Sequence, residues 1–329
     1  MAPRLALAGI LVSILFAGCG KRPGIWDDAP AGQKRVLAVT PPLYCFAKRI
    51  GGDKVAVRCL LTTVGPHDYE PTADDALLAR GADLFLANGL SLDDGSVAKV
   101  ATSSGNKKLQ IFKVGSVFEE KAEDDPKLHE MLVHNDEHEH GDEGHKHKHA
   151  GEHDPHIWLS PPLVKHLSAL IADKLIEMDP ANKAAFQANL AAFNADLDGL
   201  IRDGEAAFAK KKKSHFLTTH DSMRYFAHAF GLEEPKAIQL KPGHEVEARR
   251  LKELVDWCKA KNVRVICVEP QYSKGAAETL QTSLKKDGID LKLVEFDPME
   301  TFPPGKAPDA AHYIERMRKN IQDLAKDLP

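Results

Sequence analysis

The sequence is short of several things. Across 329 residues the formal net charge is only -4. No strong positive field exists to draw phosphates, so a basic nucleic-acid binder is excluded. Beyond the N-terminal segment, no apolar run approaches the roughly 20 residues that a membrane-crossing helix needs. The five cysteines include no C-x-x-C spacing, which removes support for a zinc knuckle or a thioredoxin-type motif. Signatures of catalysis are missing too: there is no G-x-S-x-G, no G-x-x-x-x-G-K-[ST] and no G-x-G-x-x-G. The nearest approach, His129-Glu130-Met131-Leu132-Val133-His134, fails as a zinc-protease motif. H-E-x-x-H needs its second histidine four residues on, one helical turn away, and that place is Val133.

What is present is an ordinary globular balance, 43% hydrophobic and 28% charged, over a length that suggests about two domains. A chain this long buries roughly three quarters of its unfolded surface and needs no staples. Histidine is the odd count. Nine of the 16 lie between His129 and His156.

The N-terminus has the order of a secretory signal: Arg4, an apolar run from Leu5 to Phe16, then small residues. Phe16-Ala17-Gly18-Cys19 resembles a bacterial lipobox, which makes residues 1–18 a lipoprotein signal peptide and Cys19 the lipidated first residue. Residues 19–34, rich in Gly, Pro and charge, read as a tether. The protein is thus expected to be exported and lipid-anchored to a bacterial membrane, on its periplasmic or outer-surface side. Cys45, Cys59, Cys258 and Cys267 remain. Disulfides are permitted in that compartment, and two local bridges, Cys45 with Cys59 and Cys258 with Cys267, stand beside the alternative of four buried thiols.

Short apolar strands alternate with helices from Arg35, which indicates α/β lobes built on mostly parallel sheets. Residues 35–160 form an N-terminal α/β lobe. From about Gly115 to Asp154 apolar residues are scarce, so a mobile His-rich loop is expected, at 124–153. It carries His129, His134, His138, His140, His145, His147, His149 and His153. Residues 161–213 are helical, with one long connecting helix from about Pro180 to Lys213. Residues 214–329 form a C-terminal α/β lobe. The expected plan is two α/β lobes joined by one long rigid helix, with a ligand in the cleft.

Three sparse histidines fall just past strands or in turns: His67 in Gly65-Pro66-His67-Asp68, His156 in Asp154-Pro155-His156, and His220 after His215-Phe216-Leu217-Thr218-Thr219. Ligands in open α/β sheets bind beyond the carboxyl ends of the strands. Asp297, after Leu291–Phe296, offers a carboxylate from the second lobe. Three neutral imidazoles and one carboxylate suit a borderline divalent cation, above all zinc. Each has a plainer reading as a turn or capping residue.

The segments TTVGPHDYEPTADD, DPHIWLSP, THDSMRYFAHAFGL, VICVEPQYS, VEFDPM and YIERMRKNIQDL, in that order, resemble the metal-specific solute-binding proteins of ABC transporters, and the zinc-uptake members most. The likeness covers the chain from Arg35. It implies a metal held in the interlobe cleft by His67, His156, His220 and Asp297, with Glu269 of V-E-P-Q as a supporting partner. It implies a Zn2+ cargo, with Mn2+ the alternative, and an accessory role for the His-rich loop. It implies partners in an ABC permease and its ATPase, with a monomeric receptor and no enzymatic activity. A manganese or iron receptor, a metal-dependent adhesin, a storage protein and a zinc hydrolase are the rival functions.

Overall fold

The computed structural model describes residues 25–133, 153–211, 213–239 and 242–329. Two four-stranded sheets, all parallel, make two lobes. In the first, β1 (Lys34–Ala38), β2 (Val55–Cys59), β3 (Leu84–Ala87) and β4 (Gln110–Lys113) lie in the order β2-β1-β3-β4. In the second, β5 (Leu217–Thr218), β6 (Lys236–Ala237), β7 (Val265–Val268) and β8 (Lys292–Glu295) lie in the order β6-β5-β7-β8. Each order reverses once, between β1 and β3 and between β5 and β7. Such reversals open crevices at the carboxyl ends of the strands.

Alternate side chains of the first sheet serve two cores. Val36, Ala38, Leu84 and Leu86 face the main core, while Leu37, Val39, Phe85 and Ala87 face an outer layer. The main-core face is covered by α1 (Pro41–Gly51), α6 (Pro161–Met178) and α7 (Lys183–Phe208). On the outer face lie α2 (Ala73–Arg80) and α3 (Asp94–Ser104). Local chemistry starts these helices. Thr72 and Asp75 form a reciprocal capping box at α2, and Ser160 caps the Leu163 amide at α6, with prolines in the first turn. Around the second sheet pack α8 (Arg224–Phe230), α9 (Ala248–Lys261), α10 (Gly275–Lys286) and α11 (His312–Asp327).

The connecting helix α7 has 26 residues, about 39 Å at 1.5 Å per residue. It packs against α1 and α6 of the first lobe and α8 and α11 of the second. Gly204 allows this closeness, because a Cβ there would sit 2.1 Å from the Phe230 ring. The helix is shorter than the expected 180–213 at both ends. Pro180–Asn182 is a separate 3-10 turn, and Lys210, Lys211 and Lys213 fall outside the helix.

Two further expectations change. The segment from Gly115 onward is not structureless: α4 (Val114–Glu123) buries Val114, Phe118 and Ala122, and α5 (Pro126–His129) follows. Few apolar residues suffice when they recur every four positions on one stripe. Part of the segment expected as a tether, 19–34, is packed. Trp26 is only 4% exposed within the outer core, its Nε1 donating to the Leu78 carbonyl at 2.9 Å and Arg58 stacking over its ring. Cys19, His134, His138, His140, His145, His147 and His149 lie outside the described residues. The four remaining cysteines are buried and unpaired, and burial pushes the Cys45 and Cys258 thiols up to about 12. Among the described residues no helix is long and apolar enough to cross a membrane.

Candidate metal centre

Four side chains from both lobes converge: His67, His156, His220 and Glu300. His67 lies on a 3-10 turn, Pro66–Asp68, reached from the carboxyl end of β2. His156 immediately precedes the turn Ile157–Leu159, whose three side chains are all buried and so wedge the segment in place. His220 stands two residues past β5 and Glu300 in the loop after β8. The crevices that the two sheet orders create thus meet at one point.

All three rings present Nε2 to the centre. The His67–His156 and His156–His220 Nε2 separations are both 3.3 Å. Glu300 Oε1 lies 3.3 Å from His67 Nε2, 3.4 Å from His220 Nε2 and 3.7 Å from His156 Nε2. A tetrahedral zinc ion with ligands at about 2.0–2.1 Å sets those ligands about 3.3–3.4 Å apart. Five of the six donor separations already lie near that value, at 3.3–3.7 Å, and all four atoms lie within 4.8 Å of one another. Glu300 is fully buried, and its Oε1 has no aligned hydrogen-bond donor among the described residues. A buried acceptor in that state is costly unless a cation or donor completes it.

Two of the rings are held from behind. His156 Nδ1 donates to Asp154 Oδ1 at 2.7 Å, and the His156 amide donates to the same oxygen at 2.8 Å. His220 Nδ1 lies 2.8 Å from Glu269 Oε1. The Asp154 bond fixes the His156 tautomer that leaves Nε2 free to bind, the usual device around metal-ligating histidines, and Glu269 stands behind His220 as a charge partner. Burial pulls His220 toward neutrality, but Glu269 and Glu300 outweigh it and hold the ring well above its ordinary value. Burial likewise pushes Glu300 up, and His220 and His67 beside it bring it well below the usual carboxylate range.

Of the sequence-predicted ligands, the structure brings together His67, His156 and His220 but not Asp297. The grouped carboxylate is Glu300, three residues on. Asp297 is turned away: its carboxylate accepts from the Met299 amide at 2.8 Å and pairs with Arg316 Nε at 3.1 Å. Met299 has a φ of 63°, and this left-handed turn carries the chain from one carboxylate to the other. Sequence spacing could not separate the two, because the turn between them reverses which one faces the cleft. Glu269, expected as a supporting partner, has its Oε1 2.8 Å from His220 Nδ1. Asp154 was missed, although it stands in the same D-P-H motif as His156. His153 and His129, assigned to the loop, lie at its described base. His153 is buried, with Nδ1 2.5 Å from Glu119 Oε1, and the two rings are 6.4 Å apart.

The sequence pattern of the zinc-uptake complex component A (ZnuA) family, described as periplasmic, matches residues 36–327. The chain belongs to this family. The high-affinity zinc uptake system protein ZnuA of Bacillus subtilis is 30% identical over 96% of this chain and 94% of its own length. The zinc-binding lipoprotein AdcA of Streptococcus pneumoniae is 28% identical over 89% of this chain. The match spans only 55% of AdcA, about half of that protein. Among solved structures, a zinc(II)-bound variant of AdcAII from Streptococcus pneumoniae superposes with a TM-score of 0.72 at 26% identity, covering 91% of this chain and 100% of that one. The two-lobed parallel α/β fold with its long helix is therefore a ZnuA-type fold.

Proposed function

We propose that the protein is a zinc receptor of an ABC transporter: it captures Zn2+ between its lobes and hands it to a membrane permease driven by an ATPase. The observation that carries this reading is the donor set. Three Nε2 atoms and one buried carboxylate oxygen stand within 4.8 Å of one another, five of their six separations at 3.3–3.7 Å, between two lobes that a helix joins. His67, His156, His220 and Glu300 are the ligands, and Asp154 and Glu269 orient two of the rings. Four protein ligands leave no open position for an activated water, which favours binding over catalysis. The zinc-named relatives point the same way. Under this reading the mature chain begins at a lipidated Cys19, is exported, and acts as a monomer. Residues 35–160 and 214–329 are its lobes, and 161–213 the connecting helices.

Metal analysis of protein purified without added metal tests it, with titration of Zn2+ and Mn2+ into the stripped chain. One Zn2+ per chain, lost in the Glu300→Gln and His220→Ala variants, is expected. Preference for Mn2+, or zinc retained without those side chains, would overturn the reading.

A further inference from the structure

The Glu300 carboxylate is held through one of its two oxygens. While Oε1 faces the three rings, Oε2 accepts from the Tyr272 hydroxyl at 3.3 Å and from Gln271 Nε2 at 3.4 Å. The same Gln271 nitrogen lies 3.1 Å from Glu269 Oε2. One amide therefore links the carboxylate behind His220 with the carboxylate in the site. Glu269, Gln271 and Tyr272 all belong to the loop that leaves β7, so a single loop orients two of the four donors. The Tyr272 ring also stands edge-on to His220, centroids 5.5 Å apart. The backbone of Gly65 also closes in: a Cβ there would lie 2.9 Å from Glu300 Oε2 and 3.8 Å from the Tyr272 hydroxyl.

A carboxylate binds a metal through one oxygen or two. Larger, harder ions with six or more ligands favour the second mode or added waters, whereas zinc in a closed site takes four ligands. We propose that Tyr272 and Gln271 are positioning residues that hold Glu300 to one-oxygen coordination, with Gly65 leaving the room for it. This lock selects a four-coordinate ion such as Zn2+ over Mn2+. The proposal rests on the receptor reading above.

Cobalt(II) substitution tests it, because four-coordinate Co2+ absorbs visible light far more strongly than five- or six-coordinate Co2+. The variants are Tyr272→Phe, which keeps the ring against His220, Gln271→Leu, the two combined, and Gly65→Ala. Each is compared with the unaltered chain for its Co2+ spectrum and its affinities for Zn2+ and Mn2+. The expected result is a four-coordinate spectrum in the unaltered chain. In the combined variant the absorption weakens, and the ratio of zinc to manganese affinity falls about tenfold, in the range seen when partners of metal ligands are removed. Gly65→Ala, pressing on the same oxygen, lowers the ratio in the same direction. An unchanged spectrum and ratio in the combined variant would overturn the lock, as would an equal loss of both metals with the ratio unmoved. Failure of the unaltered chain to bind either Co2+ or Zn2+ would instead sink the receptor reading, before any variant is compared.

Discussion

His67 and His220 offer the same atom to the same point, yet they are built differently. His220 is 2% exposed, lies behind a strand end and is backed by Glu269. The side chain of His67 is 21% exposed, and among the described residues no carboxylate pairs with its Nδ1. The second-lobe ligand is fixed before any ion arrives, whereas the first-lobe one stands at the mouth of the site. Preorganised donors lose little freedom on binding, so more of their interaction appears as affinity. An exposed donor can be replaced by water.

The largest effect expected from this contrast is in ligand removal. A four-ligand zinc site is worth about 10–16 kcal/mol, so a ligand contributes about 3 kcal/mol, roughly a hundredfold. His220→Ala should weaken zinc binding by at least about a hundredfold, while His67→Ala should cost closer to about tenfold. Titration calorimetry with a competing chelator reads both. Equal losses would break the comparison.

Next in size are the carboxylates behind the rings. Asp154→Asn and Glu269→Gln should each lower zinc affinity about 10- to 100-fold without removing a ligand. The same substitution at Asp68, beside the unbacked His67, should cost much less. If Asp68→Asn weakened binding as much as Asp154→Asn, ring backing would not be what separates the histidines.

Acidity sharpens the contrast further. In the metal-free protein His220 is held above its ordinary value of 6.5, burial being outweighed by Glu269. A bound metal needs the neutral ring, so the ion must displace a proton. Zinc affinity should therefore fall by about tenfold per unit as pH drops below the raised value of His220. The metal-free fold should show the opposite trend. A raised folded value gives stability that is full below 6.5 and is lost as pH rises through the folded value. Paired measurements of zinc affinity and metal-free Tm against pH test both slopes, and a zinc affinity unchanged at pH 5 would count against a histidine-rich shell.

Much of this was legible in the chain. Short apolar strands at regular intervals give the two parallel sheets, because a strand buried on both faces has to be apolar throughout. His67, His156 and His220 could be picked out because each follows a strand or occupies a proline-marked turn, where α/β sheets bind ligands. What stayed hidden depended on backbone direction rather than residue type. Trp26 lies in a stretch with the composition of a tether, yet it fills a gap in the outer core. The buried stripe of α4 consists of three residues among charged neighbours. Gln271 touches Glu300 along a chain path that no spacing rule encodes, whereas Asp154 reaches the His156 amide two residues on, an Asx contact that D-P-H could have signalled. The choice between two carboxylates three residues apart rested on one left-handed residue, Met299.

That choice also carries the smallest expected effect. Asn at position 297 keeps an oxygen for the Met299 amide, so the turn that aims Glu300 should survive Asp297→Asn, although the ion pair with Arg316 is lost. Zinc affinity should change by less than about threefold, whereas Glu300→Gln should cost roughly a hundredfold. Stability offers a second reading of the same substitution. Burial raises the Asp297 carboxyl to about 6, against hydrogen bonding from Met299 and the charge of Arg316. A folded value above the unfolded one means a contribution that is full below about pH 4 and lost as pH rises through about 6. Asp297→Asn should therefore flatten the stability profile of the metal-free protein between about pH 4 and 6 while leaving the zinc titration in place. A loss of zinc binding as large as that of Glu300→Gln would return Asp297 to the ligand shell.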